Sequence, residues 1–335
     1  MVVLGAASAG AQTAAAPADD PVVVVVHGGA GTLRRGDFTP AQDAAVRAAI
    51  TGALRAGHAA LLGGGSALDA VQAAIEPLED DPLFNAGRGA VLSADGVARH
   101  DASVMDGATG MAGASSGTTH VRHPVRLARA VMEHSPHVLL TGDGAEEFAL
   151  MQGLEMMPNA WFVTDEARAD LADVQRRERE TGSAPGLAPG LAPEPWQMTG
   201  TVGAVALDAA GHLAAGTSTG GMTNKRWGRV GDSPVVGAGT FASAAVGVSA
   251  TGHGEFFIRL AVAHDIHARV VYLGETADAA ARHVVGTTLT GAGGAGGVIV
   301  LDPQGRASMP FNTDGMARGT ITRSGHVTVA IYADE

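Results

Sequence analysis

The chain has 335 residues, 46% of them apolar but only 4% aromatic, and carries a net charge of −12. That charge argues against nucleic acid as a partner, because phosphate recognition needs clustered Lys and Arg. The absence of cysteine excludes disulfides, thiolate metal sites and cysteine nucleophiles, and the 13 histidines show no zinc-type spacing such as HExxH.

Residues 1–20 are rich in Ala and Gly, with an A-x-A-like stretch at 7–12 and no basic start. They read as the remnant of a signal peptide or as a disordered extension. The first reading implies a periplasmic or secreted protein, the second a cytoplasmic one. No apolar run is long enough to span a bilayer.

Val22–Val26 is an unbroken β-branched run, as expected for a strand buried on both faces, and His27-Gly-Gly-Ala-Gly-Thr32 after it reads as a glycine-rich turn. Helical spacing covers 40–62, and Ser66 with Asp69 caps a second helix that runs to about Asp80. Ala90–Leu92 and Ala98–His100 flank a hairpin signal. Helices are expected over Pro124–Glu133, Asp143–Gly153 and Thr164–Arg179. Beyond them strands are expected at Val202–Leu207, Leu213–Ser218, Val235–Gly237 and Val246–Ala250. Helices at Gly254–Ala268 and Ala277–Thr288 come next, then strands at Gly297–Leu301, Ala307–Phe311 and Val327–Ala333. This order of strand, helices, strands, helices, strands suits two antiparallel sheets with helices outside better than alternating βαβ.

The centre of the chain is its most informative part. A Gly-, Ala- and Pro-rich linker at about 180–199 delivers Gly200–Thr201 to a strand that begins at the threonine. Cutting that bond would leave 21–200 and 201–335 as two subunits of one layered domain. It would also give Thr201 a free α-amine beside its own hydroxyl, and an amine with an unperturbed pKa of about 7.7–8.0 can serve as the base for that nucleophile.

Several motifs then take on meaning together. HGGAGT at 27–32, PLFNAGRGAVL at 82–92, DASVMDG at 101–107, SPHVLLTGDGAEEFA at 135–149, GTVGAVALD at 200–208, STGGMTNKRWGRVGDSP at 218–234, TGHGE at 251–255 and PFNTDGM at 310–316 appear in order. In this the chain resembles the plant-type L-asparaginase / isoaspartyl peptidase family of threonine hydrolases, over roughly Val22–Ala333. The resemblance implies a four-layer αββα sandwich (class α+β, one domain) and hydrolysis of β-aspartyl dipeptides and L-asparagine with release of L-aspartate. It implies Thr201 as nucleophile exposed by autocleavage at Gly200–Thr201, and Thr219 as helper hydroxyl. Strand alternation alone puts Thr217 and Thr219 on one face without choosing between them. The resemblance further implies Arg229 and Asp232 as anchors for the substrate's α-carboxylate and α-ammonium, and Gly254 as a carbonyl facing the ammonium. Thr251 and Gly252 would form the oxyanion hole, and Asn85 would assist catalysis or precursor cleavage, or else bond loop backbone.

The carbonyls of Leu78, Glu79, Asp81, Phe84, Ala86 and Arg88 match the family's sodium loop, so a structural sodium is expected and no cofactor for catalysis. The expected assembly is a dimer of cleaved units. His253 departs from the small residue or threonine common in the family, and Trp227 would either line the entrance or pack. The rival readings are a glycosylasparaginase of the same fold, a nucleotide-binding α/β protein using HGGAG, and an uncleaved binding scaffold.

Overall fold

The computed structural model describes residues 20–182 and 200–335. The signal-peptide reading of 1–20, apart from Asp20, and most of the linker lie outside the described residues. Of the linker's expected start, Glu180 and Thr181 belong to a helix instead.

The architecture follows from which way alternate side chains face. β1 (Val22–Gly31) pairs antiparallel with β11 (Gly315–Thr322) on one side and β5 (Val202–Leu207) on the other. The large sheet runs β12 (Val327–Tyr332), β11, β1, β5, β6 (Leu213–Thr219), β2 (His100–Asp106), β3 (Ala112–Thr118), β4 (Leu139–Thr141). A second sheet runs β10 (Ala307–Ser308), β9 (Gly296–Leu301), β8 (Gly247–Gly252), β7 (Thr240–Ala242).

Val24, Val26, Val202, Ala204 and Ala206 point outward into a core shared with α1 (Pro40–Leu62), α2 (Ala67–Asp80) and α3 (Pro124–His134). Val25, Val205, Leu207, Leu213 and Ala215 point the other way, into a second core between the sheets. Val248, Ala250, Val298 and Val300 face a third core under α6 (Gly254–Leu260), α7 (Val262–Leu273) and α8 (Ala277–His283). Three apolar layers make four structural ones, so the αββα sandwich is borne out. An unbroken valine run is what a strand covered on both faces needs.

The same parity places the polar residues. His27, Thr201, Gly203, Thr217 and Thr219 occupy inter-sheet positions of β1, β5 and β6, and Ser249 and Thr251 do so on β8. They gather where the middle layer ends. Sequence register thus carries the site into one plane.

Local signals explain the outer helices. Thr39 and Gln42 form a reciprocal capping box ahead of Pro40, and Ser66 and Asp69 form another at the start of α2; each such cap stabilises by about 1 kcal/mol. The remaining helices, α4 (Gly142–Met151) and α5 (Asp165–Thr181), keep close to their expected limits. Among the described residues no helix is long and apolar enough to cross a membrane.

Several expectations need correction. The glycine segment after Val26 is not a turn: β1 continues through Gly31, with a register shift between His27 and Ala30. A phosphate-binding loop there is ruled out, since such loops follow a strand and do not lie inside one. The expected hairpin around 90–100 is reduced to a single bridge, Leu92 to Ala98, and Val235–Gly237 to a bridge between Val236 and Thr240. The expected helix over 254–268 is two helices, broken at Ala261 (φ 48°, ψ 48°). The helix from Ala277 turns into a π-helical segment, Val284–Leu289. The strand expected over 307–311 is two residues long.

Ala261 is exposed and left-handed, a conformation that costs a non-glycine residue about 1–2 kcal/mol. Ala261→Gly removes that strain against a smaller gain in unfolded-chain entropy. Calorimetry should show a melting temperature higher by about 1–3 °C.

Candidate active site

Thr201 precedes β5, where the chain enters the middle layer. Its hydroxyl donates to Thr219 Oγ1 over 2.9 Å. Strand alternation left Thr217 and Thr219 equal, and the contact separates them. Thr217 instead lies 2.7 Å from Ser249 Oγ, and Thr240 donates to it over 2.6 Å.

Gly200, the residue before Thr201, is held on two sides, and Thr251 bonds the neighbouring Ala30. Gly200 N–H donates to the Gly28 carbonyl (3.2 Å), and its carbonyl accepts from Asn85 N–H (3.3 Å). Thr251 Oγ1 accepts from Ala30 N–H at 3.3 Å on the facing sheet. Gly29, at φ 107°, lies directly beneath Gly200, and a Cβ there would come within 2.0 Å of Gly200 N. Only glycine permits that approach.

His27, at the start of the segment expected to be a turn, is fully buried behind Thr201. Its Nδ1 lies 3.0 Å from the Thr201 carbonyl oxygen, which can only accept, so Nδ1 carries the proton. Nε2 then accepts from Ser249 Oγ at 2.9 Å. Burial pushes the imidazole down to about 3, against the opposing pull of the Thr201 carbonyl, so it is neutral at ordinary pH. Gly203 makes room for the contact, since a Cβ there would sit 2.1 Å from Ser249 Oγ. The signal available in the sequence was a single polar residue closing a five-valine strand.

In front of Thr201 opens a cavity of about 500 Å³. Its walls include Asn85, Thr219, Arg229, Asp232, Thr251, Gly252 and His253. Arg229 and Asp232 share this wall but are not ion-paired. Arg229 Nε and Nη2 instead grip both oxygens of Glu255 at 2.9 and 2.8 Å, a partner the sequence reading missed. Burial alone would raise the Glu255 carboxyl, yet the bonds from His253 and Arg229 outweigh it and hold it below the usual carboxylate range. Asp232 is 5% exposed and its Oδ2 has no partner. Burial pushes this carboxyl up to about 7, with Arg229 opposing. Gly254 is buried against the two, not on the cavity wall: a Cβ on it would lie 2.8 Å from Asp232 Oδ1 and 2.9 Å from Arg229 Nη2.

Asn85 supports the backbone reading for its side chain. Its Nδ2 donates to the Gly221 carbonyl and its Oδ1 accepts from Val91 N–H, while its main-chain N–H reaches Gly200. Trp227 does not pack: it is 92% exposed, at φ 55°.

Residues 78–88 close tightly on themselves. The carbonyl oxygens of Glu79, Pro82 and Phe84 converge on Gly87 and Gly89, so closely that a Cβ on either would collide with them. Of these, Glu79 and Phe84 belong to the set expected to hold a cation, and backbone carbonyls are hard oxygen donors. Three of those expected here, from Glu79, Asp81 and Phe84, each also accept one backbone N–H.

A four-layer sandwich with a threonine hydroxyl at the head of an inner strand is the architecture of an N-terminal-nucleophile hydrolase. A family model described as asparaginase matches residues 20–331, and the chain belongs to that family. It is 46% identical over 315 residues to the isoaspartyl peptidase of Escherichia coli, covering 93% of this chain and 97% of that one. It is 42% identical to the isoaspartyl peptidase/L-asparaginase of Rattus norvegicus (89% and 88% covered). To the plant-type L-asparaginase of Pyrococcus furiosus it is 40% identical (88% and 95%).

Gly29→Ala tests the crossing at Gly200. The variant should lose about 3–5 kcal/mol in denaturant unfolding, whereas Gly36→Ala, with nothing within 4 Å of its Cβ, should be near neutral. Equal losses at the two sites would remove the crossing as a constraint.

Proposed function

We propose that this enzyme releases L-aspartate from β-aspartyl dipeptides and L-asparagine, using Thr201 as nucleophile once the Gly200–Thr201 bond is cut. The observation that carries this reading is the 2.9 Å hydroxyl pair of Thr201 and Thr219 on a cavity that also holds Arg229 and Asp232.

Maturation starts from the same pair. Thr201 Oγ1 attacks the Gly200 carbonyl carbon, passing its proton toward Thr219, and the oxygen that becomes negative already accepts from Asn85 N–H. Collapse breaks the C–N bond, the departing nitrogen takes the proton relayed by Thr219, and Gly200 is left esterified to Thr201 with the α-amine free. Water then hydrolyses the ester.

In turnover the α-amine takes the Thr201 hydroxyl proton as the oxygen attacks the side-chain carbonyl of the aspartyl group. Thr251 and Gly252 N–H face the developing oxyanion, and each such donor is worth about 10²–10³ in turnover. The departing ammonia or amino acid takes the proton, and water cleaves the β-aspartyl ester. Asp232 holds the substrate α-ammonium, and Gly254, buried behind it, leaves room for Asp232 and Arg229 to lie side by side. Arg229 meets the α-carboxylate through Nη1, the nitrogen that Glu255 leaves free. When bound, a sodium ion on the carbonyls of 78–88 would stiffen the loop from which Asn85 reaches Gly200; it takes no part in the chemistry.

Thr201→Ala should run as one full-length band on a denaturing gel, whereas the parent yields fragments of about 200 and 135 residues. Two bands from the alanine variant under protease-free conditions would overturn self-cleavage.

The raised carboxyl of Asp232 gives a pH signature. Below about 7 it is protonated in the empty site and cannot pair with an ammonium. KM for a β-aspartyl dipeptide should therefore climb as pH falls from 7 to 5, by up to about tenfold per unit. In Asp232→Asn, KM should be high at every pH and this slope should vanish. A slope that survives the substitution belongs to another group.

A further inference from the structure

Thr219 Oγ1 accepts two hydrogen bonds, from the Thr201 hydroxyl and from the Gly221 amide, each 2.9 Å long. That amide belongs to the peptide group joining Gly220 to Gly221. The carbonyl of the same group accepts a 2.7 Å bond from Lys225 Nζ. Lys225 is buried, its side chain 4% exposed, and its other hydrogen bond goes to the Arg99 carbonyl at 2.9 Å. Asp101 Oδ2 stands 4.0 Å from Nζ and has no hydrogen bond of its own, while Oδ1 accepts from Ser116 and Gly117. Asp101 faces Thr219 across the β2–β6 ladder, which sets the charge pair beside the hydroxyl pair. Burying a lysine and a carboxylate costs several kcal/mol per ion unless geometry compensates, and a pair at 4.0 Å without a hydrogen bond compensates poorly.

We infer that Lys225 is a positioning residue for hydrolysis: it fixes and polarises the Gly220–Gly221 peptide, whose N–H in turn holds Thr219 Oγ1 against the Thr201 hydroxyl. The link to catalysis rests on the threonine-hydrolase reading above. The hydrogen bonds run in one direction, from Nζ–H to the carbonyl and from the amide to Thr219. Bonds that share a peptide group strengthen one another by about 10–30% each, and a charged donor at the head adds to this. The consequence is chemical as well as geometric. With the amide on its oxygen, Thr219 keeps its own proton to donate. As Thr201 yields its proton, the Thr219 hydroxyl turns to stabilise the oxygen left behind. Burial lowers the Lys225 ammonium from its ordinary value, and Asp101 opposes that drop.

The competing role for Lys225 is simply to neutralise Asp101, and three variants separate the two: Asp101→Asn, Lys225→Met, and both together. Lys225→Met alone strands a buried carboxylate and should fold poorly. The double variant removes both charges and should regain the parent melting temperature. In cleaved double variant kcat for a β-aspartyl dipeptide should nevertheless stay about tenfold down, the difference one charge-assisted hydrogen bond makes. KM should stay within about twofold, because no substrate contact is lost. Asp101→Asn, which keeps the ammonium, should retain kcat within about twofold. A double variant that folds but does not cleave itself supports the inference too, since cleavage uses the same two hydroxyls. If kcat returns together with the melting temperature, Lys225 is only a counter-ion and the inference fails.

A readout independent of turnover comes from ¹⁵N-glycine labelling. The Gly221 amide proton should lie downfield in the parent and in Asp101→Asn, and move upfield in the double variant. If it moves while the parent hydrolyses nothing, the hydrolase reading fails and the polarised peptide stands. If it does not move, the polarisation is wrong.

Discussion

The site depends on one close crossing, that of Gly200 over Gly29, with no side chain between the two backbones. The shift of register inside β1 lifts residues 28–29 toward the chain that enters β5. Gly200 can then bond the Gly28 carbonyl on one side and Asn85 N–H on the other. Its carbonyl carbon is thereby held next to the hydroxyl of the residue that follows. Any Cβ at 29 would push the segment away and separate the two groups. Two glycines, 171 positions apart, therefore act as one constraint.

A second constraint lies beneath the first. Thr240, Thr217, Ser249 and His27 form a buried polar chain that ends on the Thr201 carbonyl. Because a carbonyl only accepts, protons can be ordered in a single direction through the chain. Thr217 lies closer to Ser249, at 2.7 Å, than to the Gly239 carbonyl, at 3.1 Å, so the shorter contact takes its proton. Buried hydroxyls cost free energy when unpaired and little when satisfied. Here they replace the apolar packing that fills the rest of the inter-sheet layer. The neutral imidazole holds the main chain of Thr201 without adding charge beside the nitrogen that the proposed mechanism uses as a base.

Much of this was legible in the residues. The valine run, the capping residues Thr39 and Ser66, and the abrupt start of β5 just after Thr201 each carry a local signal strong enough to read. The strands β2, β3 and β11 did not, because segments such as Ala112–Thr118 are built from Ala, Gly, Ser and Thr. Their strand character comes from pairing with neighbours, not from their own propensity. His27 was hidden for a related reason: the glycines beside it signal a turn, and only pairing with β11 and β5 keeps the segment extended. Glu255 and Lys225 were silent because a partner distant in sequence, Arg229 for one and the Gly220 carbonyl for the other, gives each its meaning.

The charges on the cavity wall complete the physical picture. Arg229 already has a full carboxylate partner in Glu255, so the empty site does not hold a bare guanidinium. That pairing limits its attraction for anions in general, and leaves a single N–H face for a carboxylate of the right position. Asp232 is the opposite case: buried, one oxygen unpartnered, with burial pushing its carboxyl up to about 7. A ligand with only a carboxylate meets a partly satisfied arginine and a carboxyl that is reluctant to ionise. A ligand with an ammonium beside that carboxylate ionises Asp232 and reaches Arg229 at the same time. Each contact makes the other stronger, since a carboxylate at 232 no longer has to be stabilised by Arg229 alone. On the function proposed above, selectivity for an α-amino acid head group would then follow from the cost of leaving Asp232 alone, more than from the strength of either contact.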